Sequence, residues 1–144
     1  GHVTGSALLI SNDRQRVLMN HHKSLDKWLC FGGHADGDAD IYNVAYRELI
    51  EESGLTSVRP ITQGVFDIDI HPIPANENKG EPAHEHFDIR FLFVTDDEQF
   101  QISDESHDMK WCSYEEAAAL VQPLEQSRMI RMLDKWKNYR KGDL

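Results

Sequence analysis

The chain of 144 residues is short of cysteine, with two, and short of positive charge, with 15 Lys and Arg against 25 Asp and Glu. Two thiols, Cys30 and Cys112, each inside an apolar run (WLCF and KWCS), do not make a disulfide framework, so a reducing compartment is expected. The formal net charge of −10 repels nucleic-acid backbones and anionic membranes and argues against either as a partner. No apolar run approaches 18 residues and no leader or lipidation motif is evident, which makes a cytoplasmic location the expectation. Internal repeats, linkers and low-complexity stretches are absent too. What is present is an ordinary globular composition, 40% apolar and 9% aromatic, on a length that predicts one domain over residues 1–144.

Apolar runs bounded by turn signals predict strands over residues 3–10, 16–19, 28–31, 63–70, 85–95 and 108–112. The third of these should stop at Gly32-Gly33, and GHADGDAD that follows is too rich in Gly and Asp for regular structure. Helical periodicity covers residues 41–53, with Ile41, Ala45 and Leu49 on one face, Asp40 as N-cap and Gly54 just past the end. Residues 71–83, with Pro72, Pro74 and Pro82, read as a loop. Ser113 with Glu116 forms a capping box for a short helix, and residues 124–139 form a longer one. This order predicts an α/β fold in which a mixed sheet is sandwiched between helices.

Within the first helix stands RELIEESG, residues 47–54. Glu48, Glu51 and Glu52 occupy positions i, i+3 and i+4, where like charges destabilise a helix by a few tenths of a kcal/mol per pair, so their clustering asks for a reason. At about 100° per residue they share an arc bordering the buried stripe. Convergent carboxylates beside a Gly-rich loop suit a hard divalent cation, which takes oxygen ligands and leaves positions for water and phosphate. A solvated acidic face with one flanking arginine is the competing explanation, and spacing alone does not separate the two.

The wider window does. Residues 33–55, GHADGDADIYNVAYRELIEESGL, closely resemble the signature box of the Nudix hydrolases: Gly33, then Arg47, Glu48, Leu49, Glu51, Glu52, Gly54 and Leu55 all match at the family's spacing. The WLxxGG run before the box, the later strand pair, and Trp111 ahead of Glu115 and Glu116 extend the likeness over most of the chain. The resemblance implies a Nudix-type α/β/α sandwich and a pyrophosphohydrolase dependent on Mg2+ or Mn2+. Its substrate would be a nucleoside diphosphate joined to another moiety, with water attacking a phosphorus. Carried over by position, Glu48 and Glu52 are metal ligands, and Glu51 is a third ligand or orients water. Gly33 offers a backbone carbonyl to the metal, and Arg47 supports the junction of loop and helix. Dimers are common in the family, which leaves a homodimer open.

One position departs. The family's first box glutamate falls on Ala39, flanked by Asp36, Asp38 and Asp40, and the expectation is that one of these pairs with Arg47 in its stead. Ala39 also favours an alternative function, a non-catalytic nucleotide-binding sensor, against which the retention of all three helix acids argues. Downstream, HEHFDIRF alternates, setting His84, His86, Asp88 and Arg90 on one strand face. That row could line a substrate cleft, with Arg90 on a phosphate and Asp88 beside it, or His-x-His-x-Asp could hold a transition metal, or the face could be merely hydrated. His34 is placed near the diphosphate, His21 and His22 in a hydrated loop, and Trp28 in the core. The substrate is undetermined, although Pro72 lies near the position that marks ADP-ribose cleavage in the family.

Overall fold

The computed structural model of the chain describes residues 2–61, 64–121 and 126–141. In chain order the elements are β1 (His2–Ile10), β2 (Val17–His22), β3 (Lys27–Leu29), β4 (Phe31–His34), α1 (Ile41–Ser53), β5 (Val58–Pro60), β6 (Asp67–Ile73), a 3₁₀ turn (Glu77–Lys79), β7 (His84–Thr95), β8 (Ser106–Cys112), α2 (Tyr114–Leu120) and α3 (Gln126–Lys141). The strands form one mixed sheet. β1 runs parallel to β7 in register from His2 opposite His86 to Ile10 opposite Val94, and antiparallel to β2 and β4. β7 also pairs antiparallel with β5 and β6, and β2 with β3 and β8.

Strand alternation divides the apolar residues between two cores. Ala7, Leu9, Leu18, Phe91 and Phe93 pack with Ala45 and Leu49 of α1 on one face. Leu8, Ile10, Val17, Met19, Leu92 and Val94 pack with Met129, Met132, Leu133 and Trp136 of α3 on the other. The helix–sheet–helix sandwich predicted from the order of elements is therefore the observed one. Among the described residues, no helix is long and apolar enough to cross a membrane.

Helix α1 begins and ends where the sequence places it. The Asp40 side chain accepts a hydrogen bond from the Asn43 amide at 3.1 Å, and Gly54 adopts φ 70°, its amide donating to the Ile50 carbonyl. The helix lies close on β1 because Gly5 has no side chain: a Cβ there would come within 2.8 Å of the Ile41 carbonyl oxygen.

Four expectations are corrected. Gly32-Gly33 does not end a strand; it lies within β4, opposite Ser6 and Gly5 of β1. β2 continues through His21 and His22, which are strand residues and not a hydrated loop. His71–Ile73, expected in a loop, extends β6; its Pro72 is tolerated because β6, among the described residues, pairs with β7 alone and leaves its other edge free. β5 was not expected at all: three residues containing a proline give no period to read. The expected start of one strand at residue 63, and of the last helix at residue 124, lie outside the described residues.

Candidate active site

The last two turns of α1 bring Glu48 and Glu52 against β4. Gly33 makes this approach possible, since a Cβ on it would lie 2.7 Å from the Glu48 Oε1 atom. Glu52 is only 5% exposed, and its Oε2 atom is buried with no hydrogen-bond partner among the described residues. Burial, then the charges of Glu48 and Glu105, push its carboxyl up to about 8, with the Gly32 amide opposing the shift. Burial and the neighbouring Glu51 raise Glu48 as well. Two crowded carboxylates, one of them buried with an orphaned oxygen, form an unfavourable arrangement on their own. A divalent cation removes the conflict by supplying the missing charge and an electron-pair acceptor. The residues present thus fit such an ion.

The other box residues are divided by the fold. Glu51 is exposed, on the side of α1 that carries Tyr46 and Arg47, and only Glu52 of the three acids lines the cleft described below. Arg47 faces Asp38, Nη1 to Oδ2 at 3.6 Å, which is the pairing expected to compensate Ala39. Asp38 is fixed in turn by the Asp40 amide at 2.9 Å, and this bond and the Asn43 side chain hold its carboxyl below the usual range. Glu105 is a residue the sequence reading missed. It stands in the loop before β8, near enough for its charge to raise both Glu48 and Glu52, and the Lys23 amide donates to its carbonyl at 2.9 Å. An exposed glutamate in a loop carries no local signal of such a position.

From Glu52 a cleft of about 400 Å³ runs over the α3 face of the sheet. Thr4 and Ser6 of β1, His86, Asp88 and Arg90 of β7, His71 of β6 and Arg128 of α3 line it, together with His34 at the β4 end. Of the polar row of β7, His86, Asp88 and Arg90 line this cleft and His84 does not, and its members are committed differently from expectation. Arg90 is 4% exposed; its Nε donates to Asp88 at 2.8 Å and its Nη1 to Asp67 at 3.2 Å, with Asp69 at 3.8 Å from Nη2. Asp88 also accepts from Ser6 at 2.6 Å and Thr4 at 2.8 Å. Arg90 is therefore the centre of a buried ion cluster beneath the cleft, and Asp88 is one of its anchors. Trp28 is half-buried, with one face stacked on His21 at 4.9 Å and the Lys110 ammonium 5.3 Å from its centroid. Pro72 is exposed and outside the cleft lining, so the structure adds nothing to the ADP-ribose lead.

Comparison with known proteins agrees with this geometry. A probable DHNTP pyrophosphohydrolase of Lactococcus lactis subsp. cremoris is 26% identical over 102 residues, 71% of this chain and 59% of that protein, so the match spans less than two thirds of the relative. The asymmetrical bis(5'-nucleosyl)-tetraphosphatase of Caenorhabditis elegans is 30% identical over 104 residues, 72% of this chain and 71% of that one. In fold, the chain resembles a C. elegans Ap4A hydrolase in a binary complex (TM-score 0.75, 17% identity, 99% of this chain and 100% of that one). It also resembles the dihydroneopterin triphosphate pyrophosphohydrolase of E. coli (TM-score 0.68, 17% identity, 92% and 94%). The NUDIX domain matches residues 1–135, a span that includes the acids of α1, the glycines of β4 and the sheet that joins them, and the chain belongs to that family.

Proposed function

We propose that this protein is a pyrophosphohydrolase that uses Mg2+ or Mn2+ to cleave a nucleoside diphosphate joined to another moiety. The observation that carries the reading is Glu52, buried beside Glu48 and Gly32-Gly33 in the lining of a cleft, with a carboxylate oxygen that has no partner among the described residues. Glu48 and Glu52 hold the cation, with the Gly33 carbonyl as a further oxygen donor, and Glu51 acts from the exposed side of the helix. The bound ion supplies Lewis-acid stabilisation of the charge that develops on phosphoryl oxygens. The chain's own groups do the positioning. Arg47 and Asp38 fix the loop that precedes α1, His34 stands where the cleft meets that loop, and the Arg90 cluster keeps the cleft floor rigid. Glu105 supplies a carboxylate outside the helix, placed to accept a proton from attacking water.

The named activities of the relatives, on DHNTP and on a bis(5'-nucleosyl) tetraphosphate, have a chain of phosphates in common and point to a small organic polyphosphate, nucleotides among them, as the substrate class. A non-catalytic sensor would have leaned on Ala39, and Asp38 takes up the partner that Ala39 leaves free. The test is release of phosphate or nucleotide from a panel of nucleoside polyphosphates and diphosphate conjugates, with Mg2+ or Mn2+, for the wild type and Glu52→Gln. Turnover lost with EDTA and in Glu52→Gln supports the reading. Tight binding without turnover, surviving Glu52→Gln, overturns it.

A further inference from the structure

Beyond the carboxylate site, one end of the same sheet face carries five histidines on four adjacent strands. His2 and His86 are register partners across the parallel β1–β7 pair, and His71 of β6 lies opposite His86. His34 of β4 lies opposite Thr4, two residues along β1 from His2, and His84 precedes His86 by two on β7. The rings are in mutual contact: His2 to His34 at 5.2 Å, His2 to His84 at 4.6 Å, His34 to His86 at 5.5 Å and His71 to His86 at 5.5 Å between centroids. One nitrogen from each of His2, His34 and His86 lies within 4.8 Å of the others.

We propose that His2, His34 and His86 form a second cation site, for a borderline transition ion of the Zn2+ class, at the mouth of the cleft. Among the described residues, no hydrogen bond occupies the ring nitrogens of these three. The two flanking rings are each oriented by an oxygen at Nδ1. His84 places Nδ1 3.0 Å from the Pro82 carbonyl, which can only accept, so Nδ1 bears a hydrogen. The His84 Nε2 atom is buried without a hydrogen-bond partner among the described residues. His71 places Nδ1 2.8 Å from Asp69 Oδ2, the carboxylate–imidazole pairing that orients metal-ligating histidines. A face of imidazoles offers the nitrogen ligands that a borderline cation takes.

A tetrahedral ion with Zn–N near 2.0–2.1 Å sets ligand nitrogens about 3.4 Å apart, so the three rings must close inward from their present spacing. The exposed His2 and His34 have the freedom to do so. Nitrogen ligands discriminate this site from the oxygen-lined one: imidazole suits Zn2+, whereas Mg2+ prefers carboxylates and water. Asp88, the third member of the HxHxD row, is taken out of the site by its bonds to Ser6, Thr4 and Arg90. The proposal does not depend on the hydrolase reading.

The full chain, in excess Mg2+ to fill the carboxylates, is titrated with Zn2+ against a chromophoric chelator, and with Co2+ to read ligand-field absorption. One equivalent of Zn2+ should bind with tetrahedral Co2+ bands. His2→Ala and His34→Ala, both surface changes, should each weaken it by about tenfold or more. Glu52→Gln should leave it in place. Failure to retain Zn2+ in excess Mg2+, indifference to both histidine variants, or loss in Glu52→Gln would each overturn the proposal.

Discussion

At the scale of single residues, Arg90 shows what a sequence withholds. Its strand and face are legible from the alternation of HEHFDIRF, yet its partners come from elsewhere: Asp67 and Asp69 on β6, two strand residues that a linear reading leaves unconnected to it. Arg131 of α3 adds a second guanidinium to the same aspartates, 3.1 Å from each. Removing Arg90 takes the central guanidinium from the cluster and leaves Asp88 buried without its cationic partner, while Arg131 still faces Asp67 and Asp69. The prediction is that Arg90→Met lowers unfolding free energy by about 3–5 kcal/mol, read by urea denaturation. A variant of wild-type stability that instead fails to bind substrate would return Arg90 to a phosphate-binding role. Glu105 makes the opposite case, since it costs the fold little to remove. Glu105→Gln should leave the melting temperature near wild type while lowering kcat by roughly 10²-fold, as loss of a proton acceptor does. An unchanged kcat would place the base elsewhere.

At the scale of elements, legibility follows locality. The ends of α1 and the Ser113–Glu116 box of α2 are set by contacts within four residues, so both are readable in one dimension. β4 is not, because Gly32 and Gly33 have two meanings. Read alone they end a strand; in place, they let a strand and a helix close to the distance at which Glu48 meets the backbone. That geometry makes Gly33→Ala informative. The new methyl meets the tip of a flexible side chain, so Glu48 swings aside at little cost to folding. A displacement of about 1 Å at such a site costs on the order of 10²-fold in rate. The expected outcome is a kcat lowered by that amount with a near-normal melting temperature. A melting temperature that falls along with kcat would mean that β4 itself had been displaced.

At the scale of the whole molecule, the excess of acid gives the metal-free protein an unusual dependence on pH. Asp13, Asp38 and Glu116 are held low, first by the Ser11 hydroxyl, the Asp40 amide and the Ser113 amide respectively. Their contribution is present above their unfolded values, 3.8 for the aspartates and 4.5 for Glu116, and is lost as pH falls through their folded values, and it is small because they are exposed. Glu52 works in the other sense. Its folded value of about 8 stands above the unfolded 4.5, so the folded state binds the extra proton between these limits. Stability is full below 4.5 and is lost as pH rises through 8. His86, held low first by burial, tilts the same range the opposite way below its unfolded value of 6.5, so the informative quantity is a difference between proteins. In EDTA, the wild type should lose melting temperature relative to Glu52→Gln from pH 5 to pH 8, with Glu52→Gln higher by about 5 °C at the upper end. Added Mg2+ should close the gap by stabilising only the wild type, because a ligand bound to the folded state alone raises stability by mass action. The same buried carboxylate that weakens the empty fold would then be the group that makes the cation part of it. Parallel curves in EDTA, unmoved by Mg2+, would show that Glu52 is neither strained by its burial nor a ligand.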